Sequence, residues 1–169
     1  MENFIEMDDP IRFFRSGKVI TSGMATCTAI VLHNTIKGIA TLIHASSEDP
    51  YGGFERMMND IFSGTAVNPD NLPGVKAALI GGRNYYIGDV DYQMMLRAAE
   101  QGRGVTEEQV HNYHYPKFLY AVYGRLRGRG ITKDKLETGI IKKPQRVVYN
   151  IDMADFEPPL KENNDILII

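Results

Sequence analysis

Cysteine is nearly absent. One residue, Cys27, stands in 169, so no disulfide can form within the chain, and a reducing cytosol is the simplest setting for it. A charge excess is missing too: 19 Lys and Arg stand against 21 Asp and Glu, for a formal net charge of -2. That balance offers no general attraction to nucleic acid or to an anionic membrane surface. Long hydrophobic runs are lacking, since none approaches the roughly 20 residues that span a bilayer. No membrane insertion is expected. The stretch Met1 to Arg15 lacks the basic-then-apolar pattern of a secretory signal. A cytoplasmic location follows as the expectation, with export by a route that needs no such signal as the alternative. Internal repeats and low-complexity tracts are absent.

What is present is the composition of an ordinary globular domain, 43% hydrophobic and 24% charged. At this length the chain reads as a single domain, 1–169, with a core over about 17–152 and a polar tail over 153–169 that ends in Ile166 to Ile169. Lys18 to Ser22 is β-rich. Cys27 to His33 carries apolar residues on both faces, as a buried strand does. The polar turn Asn34 to Lys37 leads to Gly38 to His44, so these two runs read as a hairpin that returns His44 towards Cys27. Phe54, Met57, Met58, Ile61 and Phe62 recur at the spacing of one helical face and predict a core-facing helix. The Pro/Asn/Gly-rich stretch Gly64 to Gly74 is a loop, and Val75 to Ile80 a further strand. Asp89 caps a helix that Gly102 ends, and Thr106 with Gln109 opens another that Pro116 interrupts before Arg127. Leu136 to Lys142 and Arg146 to Asp152 read as a second hairpin around Lys143 and Pro144. Strands and helices do not alternate regularly, so the fold class is α+β.

One constellation can carry chemistry. Thr21 to Cys27 is a loop of small residues that ends in a cysteine at a strand start. Gly23 permits a sharp turn there, and Ala25 leaves little side chain to obstruct a substrate. Backbone N–H groups in such a loop can hold a developing oxyanion. The thiolate is the reactive form of cysteine, so Cys27 needs a base, and the hairpin puts His44 in range.

Thr21 to Cys27, His44 seventeen positions further on, Ile80-Gly81-Gly82 and Ile87-Gly88 stand in the order found in the CheD chemoreceptor glutamine deamidases, which this chain resembles. The likeness continues more weakly through Gly130-Ile131, Gly139 and Arg146 to Tyr149, and so covers most of Lys18 to Asp152. Bacterial deamidase toxins share the cysteine-histidine arrangement. The resemblance implies an α+β fold of mixed and antiparallel sheets in a layered sandwich flanked by helices. It also implies hydrolysis of a glutamine side chain in a protein target, a chemoreceptor or a host protein, without metal or organic cofactor. Carried over to this chain, Cys27 matches the nucleophile, His44 the base and Thr21 the residue that orients the imidazole. Gly23, Ala25 and Thr26 belong to the oxyanion loop, and Ser22 and Ser46 are hydroxyls that could meet substrate, although a solvated loop hydroxyl is the better reading of each. The chain departs from the family in four places. Ala25-Thr26 replaces Gly-Ser, Ala45-Ser46-Ser47 follows the histidine where a Leu-Pro pair is usual, and Gly139 stands alone where two glycines are common. The stretch 104–128 reads as a helical insertion suited to a regulatory protein partner.

Blander readings apply elsewhere. Gly81 and Gly82 make a turn rather than a phosphate loop, which would end in Gly-Lys-Ser/Thr. His111 and His114 form a surface pair with no further ligands around them. Lys117, Arg125, Arg127 and Arg129 among Phe118, Tyr120 and Tyr123 form a basic-aromatic helix face, more suited to a protein partner than to nucleic acid. The rival to catalysis is a binding module that keeps the scaffold without a working oxyanion hole and uses the inserted helices as its binding surface.

Overall fold

Alternation along the strands builds two sheets that share one buried face. The computed structural model describes residues 1–24, 27–81, 94, 97–104, 117–141 and 145–165. The strands are β1 (Glu2–Ile5), β2 (Lys18–Met24), β3 (Thr28–Asn34), β4 (Ile39–Ala45), β5 (Val75–Gly81), β6 (Leu136–Ile141), β7 (Gln145–Asn150), β8 (Asp155–Phe156) and β9 (Asn164–Asp165). Helices among the described residues include α1 (Phe54–Gly64), α2 (Lys117–Gly128) and α3 (Leu160–Asn163). One sheet has the order β1-β2-β7-β8 and the other β4-β3-β5-β6-β9. Each mixes parallel and antiparallel pairs, since β1 runs parallel to β2 and β5 to β6.

In β3, Ala29 and Val31 point towards the four-stranded sheet, where Val19, Met24, Val147 and Tyr149 meet them. Ile30 and Leu32 point the other way, onto the helices. The order of layers is therefore sheet, sheet, helices, and the fold is an α+β sandwich, as the element order and the family resemblance implied. Met57, Met58, Ile61 and Phe62 of α1 are all buried, confirming the predicted stripe. Each such side chain contributes about 1.5–3 kcal/mol through burial.

The β3–β4 hairpin forms in the expected place, with Thr28 opposite Ala45 and Asn34 opposite Ile39. The second expected hairpin does not. β6 joins β5 in parallel, with Ala77 opposite Leu136, whereas β7 crosses to the other sheet and pairs with β2. Sequence spacing suggested a ladder between them; in the fold β6 places Leu136 in the core beneath the helices, while β7 places Val147 and Tyr149 between the sheets. Strand pairing also runs beyond 17–152, because β1 and β8 flank the four-stranded sheet and β9 edges the other.

The described part of the expected insertion is core. Leu119, Val122 and Leu126 of α2 are wholly buried against β5 and α1. Gly81 makes room for this helix, since a Cβ there would sit 2.7 Å from Leu119 Cδ2. The basic-aromatic face is likewise tied down: Arg125 pairs with Glu55 and lies over the Phe54 ring, and Arg129 lies over Phe62. Arg97 to Glu100 are helical and end at Gly102, whose φ is +66°. The Asp89 cap, Gly82, Ile87-Gly88, the Thr106–Gln109 box, His111, His114, Pro116, Lys143-Pro144 and Ile166 to Ile169 lie outside the described residues. No helix among the described residues is long and apolar enough to cross a membrane.

Candidate active site

Strand register sets the site. Ala29 pairs with His44, and Ala29 faces the four-stranded sheet, so the imidazole points into the same layer. There Thr21 Oγ1 of β2 and His44 Nδ1 share a hydrogen bond of 2.7 Å. Both residues are buried, with 1% and 3% of their surface exposed. When Nδ1 carries the proton it donates to Thr21 Oγ1 and leaves a lone pair on Nε2. His44 Nε2 is buried and has no hydrogen-bond partner among the described residues.

Thr21 reaches inward by ordinary strand alternation, on the same face as Val19 and opposite Val147, and β2 is bulged just after it. Thr21 pairs with Val147 and Met24 with Gln145, so three steps along β2 answer two along β7. Gly23 takes up the extra residue at a φ of +71°, a conformation that glycine adopts without strain. Ser22 and Gly23 face solvent, and Met24 returns to the core.

Cys27 lies just ahead of β3 and packs against the same inter-sheet cluster as Ala29. Two residues before the partner of His44, it is that residue's diagonal neighbour, at about 7–8 Å between Cα atoms in regular ladders. Its thiol donates to Met7 Sδ at 3.3 Å. Ala25 and Thr26 lie outside the described residues. Ser46 is engaged elsewhere: its N–H and Oγ–H donate to the Asp8 carboxylate at 2.8 and 2.6 Å.

Burial holds the His44 pKa below the ordinary imidazole value, and the charge of Asp8 opposes this in part. A neutral ring at pH 7 follows, which is the form that accepts a proton. The Tyr51 hydroxyl is the second buried side-chain group without a partner among the described residues. Burial pushes its phenol up, and the charges of Asp8, Asp9 and Cys27 add to the rise. Sequence reading missed Met7, Asp8 and Tyr51; the Asp8-Asp9-Pro10 turn signal was the sole hint. Beside the site runs a groove of about 690 Å³ lined by Ile11, Phe13, Tyr51, Arg56 and Asp60 among others, and Cys27 and His44 do not line it.

No protein-family model matches this chain, and no curated protein does. Among solved structures, the hypothetical protein YfiH of Bacillus licheniformis is similar at 13% identity, with a TM-score of 0.43. The match covers 76% of this chain and 49% of that one, so the chain spans about half the length of the structure it resembles. Likeness at that level carries no argument about activity. These comparisons do not confirm the resemblance to the glutamine deamidases.

Proposed function

We propose that this chain is a cysteine-dependent amidohydrolase that converts a glutamine side chain of a protein substrate to glutamate, through Cys27, His44 and Thr21. The supporting observation is the 2.7 Å bond between Thr21 and His44 Nδ1, with Nε2 free of any partner among the described residues and Cys27 packed into the same inter-sheet layer.

His44 Nε2 takes the thiol proton, and Cys27 Sγ attacks the carboxamide carbon to form a C–S bond. His44 returns that proton to the nitrogen as the C–N bond breaks and ammonia leaves. Water, losing a proton to Nε2, then attacks the thioester, and the C–S bond breaks to give the glutamate carboxylate and a restored thiol. Thr21 fixes the ring and its tautomer throughout. Backbone N–H groups of the loop ending at Cys27, with Ala25 and Thr26 in it, are the candidates for holding the oxyanion. Neither metal nor organic cofactor has a role in this scheme. The protein carrying the glutamine, a chemoreceptor or a host protein, is the partner it requires.

Incubating the chain with candidate proteins and measuring ammonia release, together with the mass change of an NH2-to-OH exchange, tests the reading. Cys27→Ser should abolish both; retention of activity in that variant would refute it. A catalytic Cys27 should also be alkylated well below the usual thiol pH, with that advantage lost in His44→Ala. Slow labelling that ignores His44 would instead favour the binding module.

A further inference from the structure

Met7 and Asp8 are the central residues of a turn from Glu6 to Asp9. The Asp9 N–H donates to the Glu6 carbonyl at 3.2 Å, and the Glu6 N–H to the Asp9 carboxylate at 2.9 Å. Asp8 holds the second central position at a φ of +61°, where glycine is the usual occupant. What Asp adds over Gly is a carboxylate, and that group accepts both the N–H and the hydroxyl of Ser46. The Asp8 N–H donates to the His44 carbonyl at 2.7 Å. Three hydrogen bonds thus fasten this turn to the end of β4, while its other central side chain rests on the Cys27 thiol.

Met7 is 55% exposed, so its own burial does not account for its place. The segment is anchored on either side. Ile5 pairs with Thr21 in the sheet, Phe14 bridges to Ala40, and Arg12 Nη2 donates to the Phe4 carbonyl at 2.6 Å across the neck. A loop with a closed neck can lift at its tip without unpairing β1.

We propose that the Glu6–Asp9 turn is a latched cap on Cys27, in which the Met7 thioether plugs access to the sulfur and the Asp8–Ser46 clasp is the latch. With the cap down, Met7 occupies one approach to Sγ, and a carboxamide reaches the thiol once the clasp opens. This role in turnover rests on the amidohydrolase reading; the cap itself does not.

The test is the rate at which Cys27 of the full chain reacts with iodoacetamide, for which the chain's single cysteine makes every labelled molecule informative. Asp8→Gly removes the carboxylate and suits the positive φ, so the turn survives. It should label roughly tenfold faster, about the effect of losing hydrogen bonds to a charged group. Met7→Ala should label faster with the clasp intact, and Ser46→Ala, which retains its N–H, should fall between Asp8→Gly and the parent. Thermal melts confirm that each variant is folded. Labelling within twofold of the parent in both Asp8→Gly and Met7→Ala would overturn the cap. A chain that labels faster in these variants yet never releases ammonia keeps the cap and loses the amidohydrolase. One that releases ammonia while its labelling rates stay fixed does the reverse.

Discussion

Two buried histidines cross from the five-stranded sheet to the four-stranded one. Each uses Nδ1 to reach a hydroxyl on the opposing layer, Thr21 for His44 at 2.7 Å and Tyr149 for His33 at 2.9 Å. Burial lowers the pKa of both. Their surroundings differ. His33 stands opposite Ala40 near the turn of the β3–β4 hairpin, edge-on to the Tyr149 ring, which in turn packs against Phe156. Lys76 depresses it further. His44 stands at the open end of the hairpin, bonded through its carbonyl to the Asp8 N–H, with Nε2 lacking a partner among the described residues. A hydrogen bond between sheets is thus a structural device in both places, and the catalytic proposal depends on what His44 has in addition.

The widest separation should come from removing the rings. His44→Ala should slow glutamine hydrolysis about 10²–10⁴-fold, whereas His33→Ala should leave the rate of the folded protein unchanged. Equal losses in ammonia release would erase the contrast. Next come the hydroxyl partners: Thr21→Val and Tyr149→Phe each strand a buried ring nitrogen and should cost about 1–3 kcal/mol in urea unfolding. Of the two, Thr21→Val alone should also slow hydrolysis. A smaller effect is expected from pH. An imidazole with a folded pKa below its unfolded value of 6.5 binds fewer protons when folded. Stability should therefore hold above pH 6.5 and fall as pH drops from there through the lowered values. Melting temperatures between pH 8 and the carboxylate range check this, and Thr21 and Tyr149 variants should not reverse the slope. Least affected should be the Arg125→Gln variant at the solvent-exposed Glu55 pair, whose unfolding midpoint should be unchanged within error.

Local pattern made much of this legible. The stripe Phe54 to Phe62 reports a helix because its period is written within nine residues of chain. The β3–β4 hairpin was readable for the same reason, and its register carried His44 back towards Cys27. The parting of β6 from β7 was not, because two adjacent β-rich runs look alike whether they pair or separate. Thr21 was singled out through the family likeness alone; its distance to His44, twenty-three residues away, has no local signature. The bonds of Ser46 to Asp8, thirty-eight positions earlier, have no local signature either.

The chain's order of residues by itself determined a single thiol, an amphipathic helix and a hairpin with an α+β layout, since each follows from composition or from a period of two or 3.6 residues. Only the tertiary structure decided which sheet each late strand joins, that Thr21 of one sheet meets the imidazole of the other, and that Met7 touches the sulfur. Such contacts join distant parts of the chain across the layers, and a period in sequence records which face is buried without recording what comes to lie on it.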